Sequence, residues 1–456
     1  MDPITIGEII EATQAERLSG DPAETVRGVS TDSRTVEAGD LFIPLIGERN
    51  DAHDFLPQAA ARGCRAFLVS EREKAPSDGA VLLVDDTLAA MQRLAAWYLD
   101  RLNLLRAAVT GSVGKTSTRD MLYHILSERF STGRPQKNFN NPVGVPLTIF
   151  TFDSRLQAAV FEEGMDHAGM IHTVTAITRP QAAVITNIGV SHLENLGSRE
   201  NIRKAKMEIT DFMGPDDLLV INEDNDLLSR EAAAGNYRLL TCGTSETADY
   251  RVSEVREDEE GVSFVLTHGT ERRAMRVPLP GAHNALNAAL AVAAASRFGV
   301  TMEEAAMGLS KASITGKRLK IRKRPGLTVV DDSYNAAPDS VKAGIQTLMN
   351  LPGERKVCFL ADMNEIGPDS PALHREVGAY AAAQGVALVA AVGEKSREIA
   401  AGARQGGAAA SWYPDRDALL KEMGDLLRPG DVVLVKGSNA MGMGLVADQL
   451  MDGTEE

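Results

Sequence analysis

A glycine loop set between an extended run and a helix constrains this chain more than any other feature. Arg106-Ala107-Ala108-Val109 reads as a buried strand and Thr118 to Ser127 as a helix; between them stands Thr110-Gly111-Ser112-Val113-Gly114-Lys115-Thr116-Ser117. That order supplies the parts of a phosphate-binding loop. Glycines let backbone N–H groups fold round an anion, and the helix N-terminus adds partial positive charge. A lysine then reaches the β and γ oxygens, and a threonine hydroxyl can ligate Mg2+. The spacing is shortened to G-x-x-G-K-T, because Val109 stands where the usual pattern has its first glycine. A loop of this kind belongs to a parallel sheet covered by helices, so an α/β fold is expected.

At 456 residues the chain is long enough for two to four packed units, three being the central expectation. Hydrophobic residues at 44% and charged residues at 24% are those of a globular protein, not of a disordered or fibrous one. The net charge of -15 repels nucleic acid and anionic lipid, so a polyanionic partner needs a local basic pocket. Cys64, Cys242 and Cys358 lie far apart with no C-x-x-C pair, which argues against a zinc site or a disulfide framework and for reduced thiols. The start has no signal-peptide pattern and no run reaches membrane-span length; a cytoplasmic location, no membrane span and a monomer are expected.

Short β-branched runs alternate with Ala- and Leu-rich stretches along the whole chain, which is the βαβ rhythm. Extended pieces at Leu41–Leu45 and Ala80–Val84 and a helix at Leu88–Tyr98 define a first unit, residues 1–104. A second, residues 105–315, contains the glycine loop and strands at Leu156–Phe161 and Ala182–Ile188. It continues through antiparallel hairpins between Cys242 and Pro278, at the edge of the unit, into an Ala-rich helix at Asn284–Arg297. The third, residues 316–456, has strands near 327–330, 356–360, 387–392 and 432–435, the pattern of a small doubly wound sheet.

If Thr116 holds Mg2+, further ligands should come from the carboxyl ends of neighbouring parallel strands. Glu162 and His192 stand at such ends, although a polar strand end or a lone histidine is by itself more often structural. Lys206 shares a helix with Glu200, Lys204 and Glu208, whose spacing reads as a solvated charged face. Asn284 and Asn287 point the same way and could grip the edge of a base, or be an N-cap and a helix-face amide.

Taken together, the motifs resemble the Mur ligases of bacterial cell-wall synthesis, over essentially the whole chain. In the first unit the resemblance rests on Ser30-Thr31-Asp32-Ser33-Arg34, Gly39-Asp40-Leu41-Phe42, Gly47-Glu48 and His53-Asp54-Phe55. The central motifs are the glycine loop, Asn138-Phe139-Asn140-Asn141 through Gly144-Val145-Pro146, and Ala205-Lys206-Met207-Glu208. In the last unit Asp331-Asp332-Ser333-Tyr334-Asn335-Ala336, with Pro338 and Ser340, is similar to the branch that adds D-alanyl-D-alanine; Ala361-Asp362-Met363, Glu365, Gly367 and Lys436-Gly437-Ser438 support it.

The resemblance implies a UDP-substrate domain, a central ATPase domain of P-loop type and a Rossmann-like domain that closes over the site. The implied reaction joins D-alanyl-D-alanine to UDP-N-acetylmuramoyl-tripeptide, with ATP and Mg2+, in peptidoglycan precursor synthesis. By similarity Gly111 to Ser117 bind the phosphates, and Thr116, Glu162, His192 and a carbamylated Lys206 hold Mg2+. Asn284, Asn287, Arg318 and Asp332 meet the nucleotide. Ser30 to Arg34, Asn138, Asn141, Tyr334, Asn335, Lys436 and Ser438 meet the other substrates, and Lys115, Lys206 and His192 carry the chemistry. An anionic substrate is expected to meet a pocket containing Arg34 and Lys115. Val113, Glu163, Met170, Ala337 and Asn439 depart from the family's commoner residues, without removing a phosphate or metal ligand. The rival readings are a sister ligase adding another amino acid, including a folate-glutamate ligase, and a P-loop ATPase or kinase that needs no amine substrate.

Overall fold

The computed structural model describes residues 1–136, 138–313 and 315–452. Three large sheets carry the described chain. The first has five strands, Glu16–Ser19, Ala80–Leu83, Ala66–Val69, Asp40–Phe42 and Gly28–Ser30 in spatial order, all parallel except the outermost Glu16–Ser19. The expected Leu41–Leu45 strand is shorter and ends at Phe42, two residues before Pro44, whose ring has no N–H for a ladder.

The second sheet has nine strands. Its middle strand, Leu105–Thr110, lies between Ala158–Glu162 and Ala182–Ile185, parallel to both. These strands are buried from end to end or nearly so, as strands covered by helices on both faces must be. The register sets Glu162 opposite Val109 and Ile185 opposite Thr110, so the glycine loop and the two neighbouring strand ends emerge at the same level. Leu218–Asn222 and Arg238–Gly243 extend the parallel part. Tyr250–Asp258, Gly261–His268 and Glu271–Val277 then form an antiparallel meander at the edge, as the charged turns between them predicted. The Ala-rich helix, His283–Ser296, is buried nearly all round; its small side chains let it sit against the helix Lys115–Leu126.

The third sheet has six strands: Lys320–Arg324, Leu327–Asp331, Asp431–Lys436, Arg355–Ala361, Leu388–Val392 and Ala409–Tyr413. All pair in parallel except Lys320–Arg324. Two of these strands were not expected. Lys320–Arg324 reads Lys-Ile-Arg-Lys-Arg, and the charge that hides it from a hydrophobic pattern suits an exposed edge strand. Ala409–Tyr413 is the opposite edge and only half-buried. We keep the divisions at 104 and 315 as a working proposal, since each falls between two sheets. The apolar core does not stop at the first one: residues from Ile4 to Leu104 pack with Ala108, Val145 and Phe161 in one continuous cluster.

Candidate functional site

The glycine loop closes over its own strand end because two positions tolerate nothing larger than hydrogen. Gly111 has φ +148°, and a Cβ there would fall 1.8 Å from the Thr186 hydroxyl oxygen. Gly114 has φ +82°, and its Cβ would fall 2.8 Å from Asn287 Oδ1. Asn187, just beyond the Ala182–Ile185 strand, fixes the loop: its Oδ1 accepts the N–H groups of Ser112 at 3.0 Å and Val113 at 2.9 Å. The Thr186 hydroxyl donates to Val113 O at 2.5 Å. The helix then starts at Lys115, so its first N–H groups, which have no partner within the helix, face the cavity beside the loop. Lys115 Nζ folds back onto Gly111 O at 2.8 Å, and burial depresses its pKa.

Beside the loop stands a set of oxygen and nitrogen donors. The Thr116 hydroxyl donates to Glu162 Oε2 at 2.7 Å, and Asn140 Nδ2 donates to Glu162 Oε1 at 2.9 Å. Burial works to raise the Glu162 pKa, but Arg119, Lys115 and Arg318 outweigh it and hold the carboxyl below its usual value, hence ionised. Arg119 is itself almost fully buried, bonded to Asp120 Oδ1 and 3.5 Å from Glu162 Oε2. His192, at φ +64°, has Nδ1 2.7 Å from Glu365 Oε2 but out of line for a hydrogen bond. Burial, then the charges of Lys115 and Lys206, lower its pKa and leave the ring neutral.

Lys206 overturns the solvated-face reading. It is 1% exposed, and among the described residues nothing offers it a hydrogen bond or ion pair. Burial, then Lys115, drives its pKa well below the usual value, so it is an uncharged amine. Its neighbour Glu208 is not a surface charge either: it accepts the Gly169 and His172 N–H groups at the start of the Met170–Thr178 helix. A hydroxyl, an ionised carboxylate and a neutral imidazole fit a hard divalent cation. A neutral buried lysine fits a modification that converts it to an anion.

Opposite the loop, residues of the third sheet close the cavity, whose volume is about 570 Å³. Ser112 to Ser117, Asn138, Asn141, Glu162, His192, Asn284, Asn287, Arg318, Asp332, Tyr334, Asn335 and Lys436 all line it. Lys436 Nζ is bonded to Asp332 Oδ2 at 2.5 Å and Asn335 O at 2.9 Å. The Arg318 guanidinium lies over the Tyr334 ring, 3.8 Å from its centre. Asn284 is not the N-cap, which is Ala282; Asn287 Nδ2 donates to Asn284 Oδ1 at 3.2 Å, so the two amides act together.

The remaining expected positions lie off this wall. Gly111 and Lys206 sit behind it, and Ser438 bonds the Asn364 N–H, supporting the loop that carries Glu365. Ser30, Thr31, Asp32, Ser33 and Arg34 are outside the cavity, so Arg34 does not share a pocket with Lys115: its side chain is 80% exposed and paired with Asp32 at 2.7 Å. Sequence reasoning missed Asn187 and Arg119. The second carried a signal, a charge three and seven residues before Leu122 and Leu126 on an otherwise apolar face.

Three family models match the chain: "Mur ligase family, catalytic domain" over residues 25–99, "Mur ligase middle domain" over 109–295 and "Mur ligase, glutamate ligase domain" over 317–439. The UDP-N-acetylmuramoyl-tripeptide--D-alanyl-D-alanine ligase of Bacillus subtilis is 38% identical, the alignment covering 98% of each chain. A crystal structure of MurF from Acinetobacter baumannii superposes with a TM-score of 0.92 at 31% identity, over 99% of this chain and 100% of that one. MurF ligase from Thermotoga maritima, in complex with ADP, superposes with a TM-score of 0.83 at 25% identity, over 94% and 97%. Loop, donor set, closing wall and full-length similarity agree: the chain belongs to the Mur ligase family.

Proposed function

We propose that this ATP-dependent ligase joins D-alanyl-D-alanine to UDP-N-acetylmuramoyl-tripeptide through an acyl phosphate. The observation that carries the reading is the cavity itself, with a phosphate loop on one wall and Asp332, Asn335 and Lys436 on the other. A carboxylate is a poor acylating agent. Attack of the tripeptide carboxylate on the γ-phosphorus of ATP expels ADP and leaves an acyl phosphate; attack of the dipeptide amine on that carbonyl then expels phosphate. Lys115 neutralises charge building on the transferring phosphoryl oxygens, and the third unit keeps water from the acyl phosphate. Asn284 and Asn287 hold the base, and Arg318 and Asp332 reach the nucleotide from the third unit.

Thr116, Glu162 and His192 would hold Mg2+, with Lys206 joining them once its neutral amine has taken up CO2 as a carbamate and released a proton. Bound there, the ion supplies positive charge beside the phosphate oxygens. The Ser30–Arg34 segment, outside the cavity, presents the exposed Arg34 to the UDP end of the substrate. The similarity to the Bacillus subtilis enzyme supports the choice of substrates. The test is phosphate release from ATP with UDP-tripeptide, with and without each of a panel of amines. Release that needs D-alanyl-D-alanine supports the assignment; release without any amine, or a preference for another amino acid, overturns it.

A further inference from the structure

The antiparallel meander at the edge of the central sheet plays no part in the chemistry above, yet its first turn touches two bodies at once. Glu257, near the end of the Tyr250–Asp258 strand, accepts the Gly281 N–H on Oε1 at 2.6 Å and Asn350 Nδ2 on Oε2 at 2.8 Å. Among the described residues no cation lies within ion-pair distance of it, so both oxygens serve neutral donors. Gly281, at φ +100°, leads into the helix that carries Asn284 and Asn287. Asn350 ends the helix Pro338–Asn350, whose first turn places Asp339 and Ser340 in the cavity wall. That helix, roughly 20 Å long, is a strut with one end in the cavity and the other on Glu257. Two residues further, Glu259 pairs with Lys323 of the third sheet.

The geometry points to Glu257 as a positioning residue that ties the nucleotide-base segment to the third unit, so that ATP binding and closure of that unit favour each other. The inference rests on the reading of Asn284 and Asn287 as base contacts. The argument is one of linkage. Ordering of the Gly281 loop by a bound base fixes the carboxylate that Asn350 must find, and docking of Asn350 fixes the carboxylate that orders the loop. Each event therefore strengthens the other by the same factor.

The test is steady-state kinetics of the full chain in ATP, together with ADP binding by calorimetry, for Glu257→Ala, Asn350→Ala, the double variant, Glu257→Gln and Asn287→Ala. Glu257→Ala is expected to raise KM for ATP roughly ten-fold, the scale of two hydrogen bonds to a charged acceptor. Asn350→Ala, although outside the cavity wall, should raise it about three-fold. The double variant should be no worse than Glu257→Ala, because both changes break the same tie. Glu257→Gln should recover most of the loss, its oxygen accepting from Gly281 and its amino group donating to a flipped Asn350 amide. An unchanged KM for ATP in Asn350→Ala, or additive losses in the double variant, overturns the tie. If Asn287→Ala leaves ADP binding unchanged, it is the base-contact reading that fails. Should Glu257→Ala not fold, Asn350→Ala and Glu257→Gln carry the test.

Discussion

The floor of the cavity and the Ser30–Arg34 segment each place a carboxylate beside a guanidinium, and they do so in opposite ways. Glu162 and Arg119 are 2% and 1% exposed, and Asp120, Thr116 and Asn140 complete their bonding. Asp32 and Arg34 form a fork at the surface, two residues apart in sequence, and the Arg34 hydrogen bonds hold the Asp32 pKa down at about 2. Buried charges persist only where every partner is in place, so the floor is preorganised, and removing one member strands another. A pair in water contributes little to folding and is free to exchange partners with an incoming ligand. Chemistry has been put where the protein can hold atoms still, and capture of substrate where it can yield.

That contrast can be broken most sharply at Lys115. Lys115→Ala should lower kcat by roughly a thousand-fold, the scale of losing a donor aimed at developing charge, with little change in melting temperature. Lys206→Met comes next and should split the two properties. Without bicarbonate and Mg2+ it should stabilise the fold by about 1–3 kcal/mol, since it replaces a buried amine that has no partner. Turnover under full assay conditions should fall by about a hundred-fold, the upper end for disrupting a metal site. Thermal melts and initial rates on the same preparations check both.

A smaller effect is expected at Glu163, which accepts the Thr175 and Thr178 hydroxyls and whose pKa burial raises to about 7. Its folded pKa lies above its unfolded one, so the folded state binds the extra proton. Stability is complete at low pH and is lost as pH rises through about 7. Relative to Glu163→Gln, wild type should lose up to roughly 3 kcal/mol between pH 5 and 8. Equal slopes in melts of the two proteins across that range would contradict this. The smallest effect is Arg34→Ala, which should raise KM for the UDP substrate several-fold while leaving the melting temperature and the ATP dependence alone.

Legibility in the sequence followed the same division. The central strands were readable because burial on both faces makes them continuous apolar runs, as in Ala158–Phe161 and Ala182–Ile185. The charged edge strand Lys320–Arg324 was not, since its pairing is set by a neighbour rather than by its own composition. Within the site, the glycine loop was legible from spacing alone. Lys206 was misread from its charged neighbours, although it stands four residues after Ile202 and three before Ile209, in the buried stripe of its helix. A charge inside an apolar stripe was the available signal. Asn187 carried none, because an asparagine after a strand is ordinary until the loop is seen folded over it.

The central claim is that the substrate carboxylate is activated by phosphorylation. It is tested most directly by labelling both oxygens of the UDP-tripeptide's terminal carboxylate with oxygen-18 and analysing the released phosphate by mass spectrometry. The account predicts one labelled oxygen in each phosphate and one retained in the new amide. Phosphate without label, formed alongside product, would contradict it.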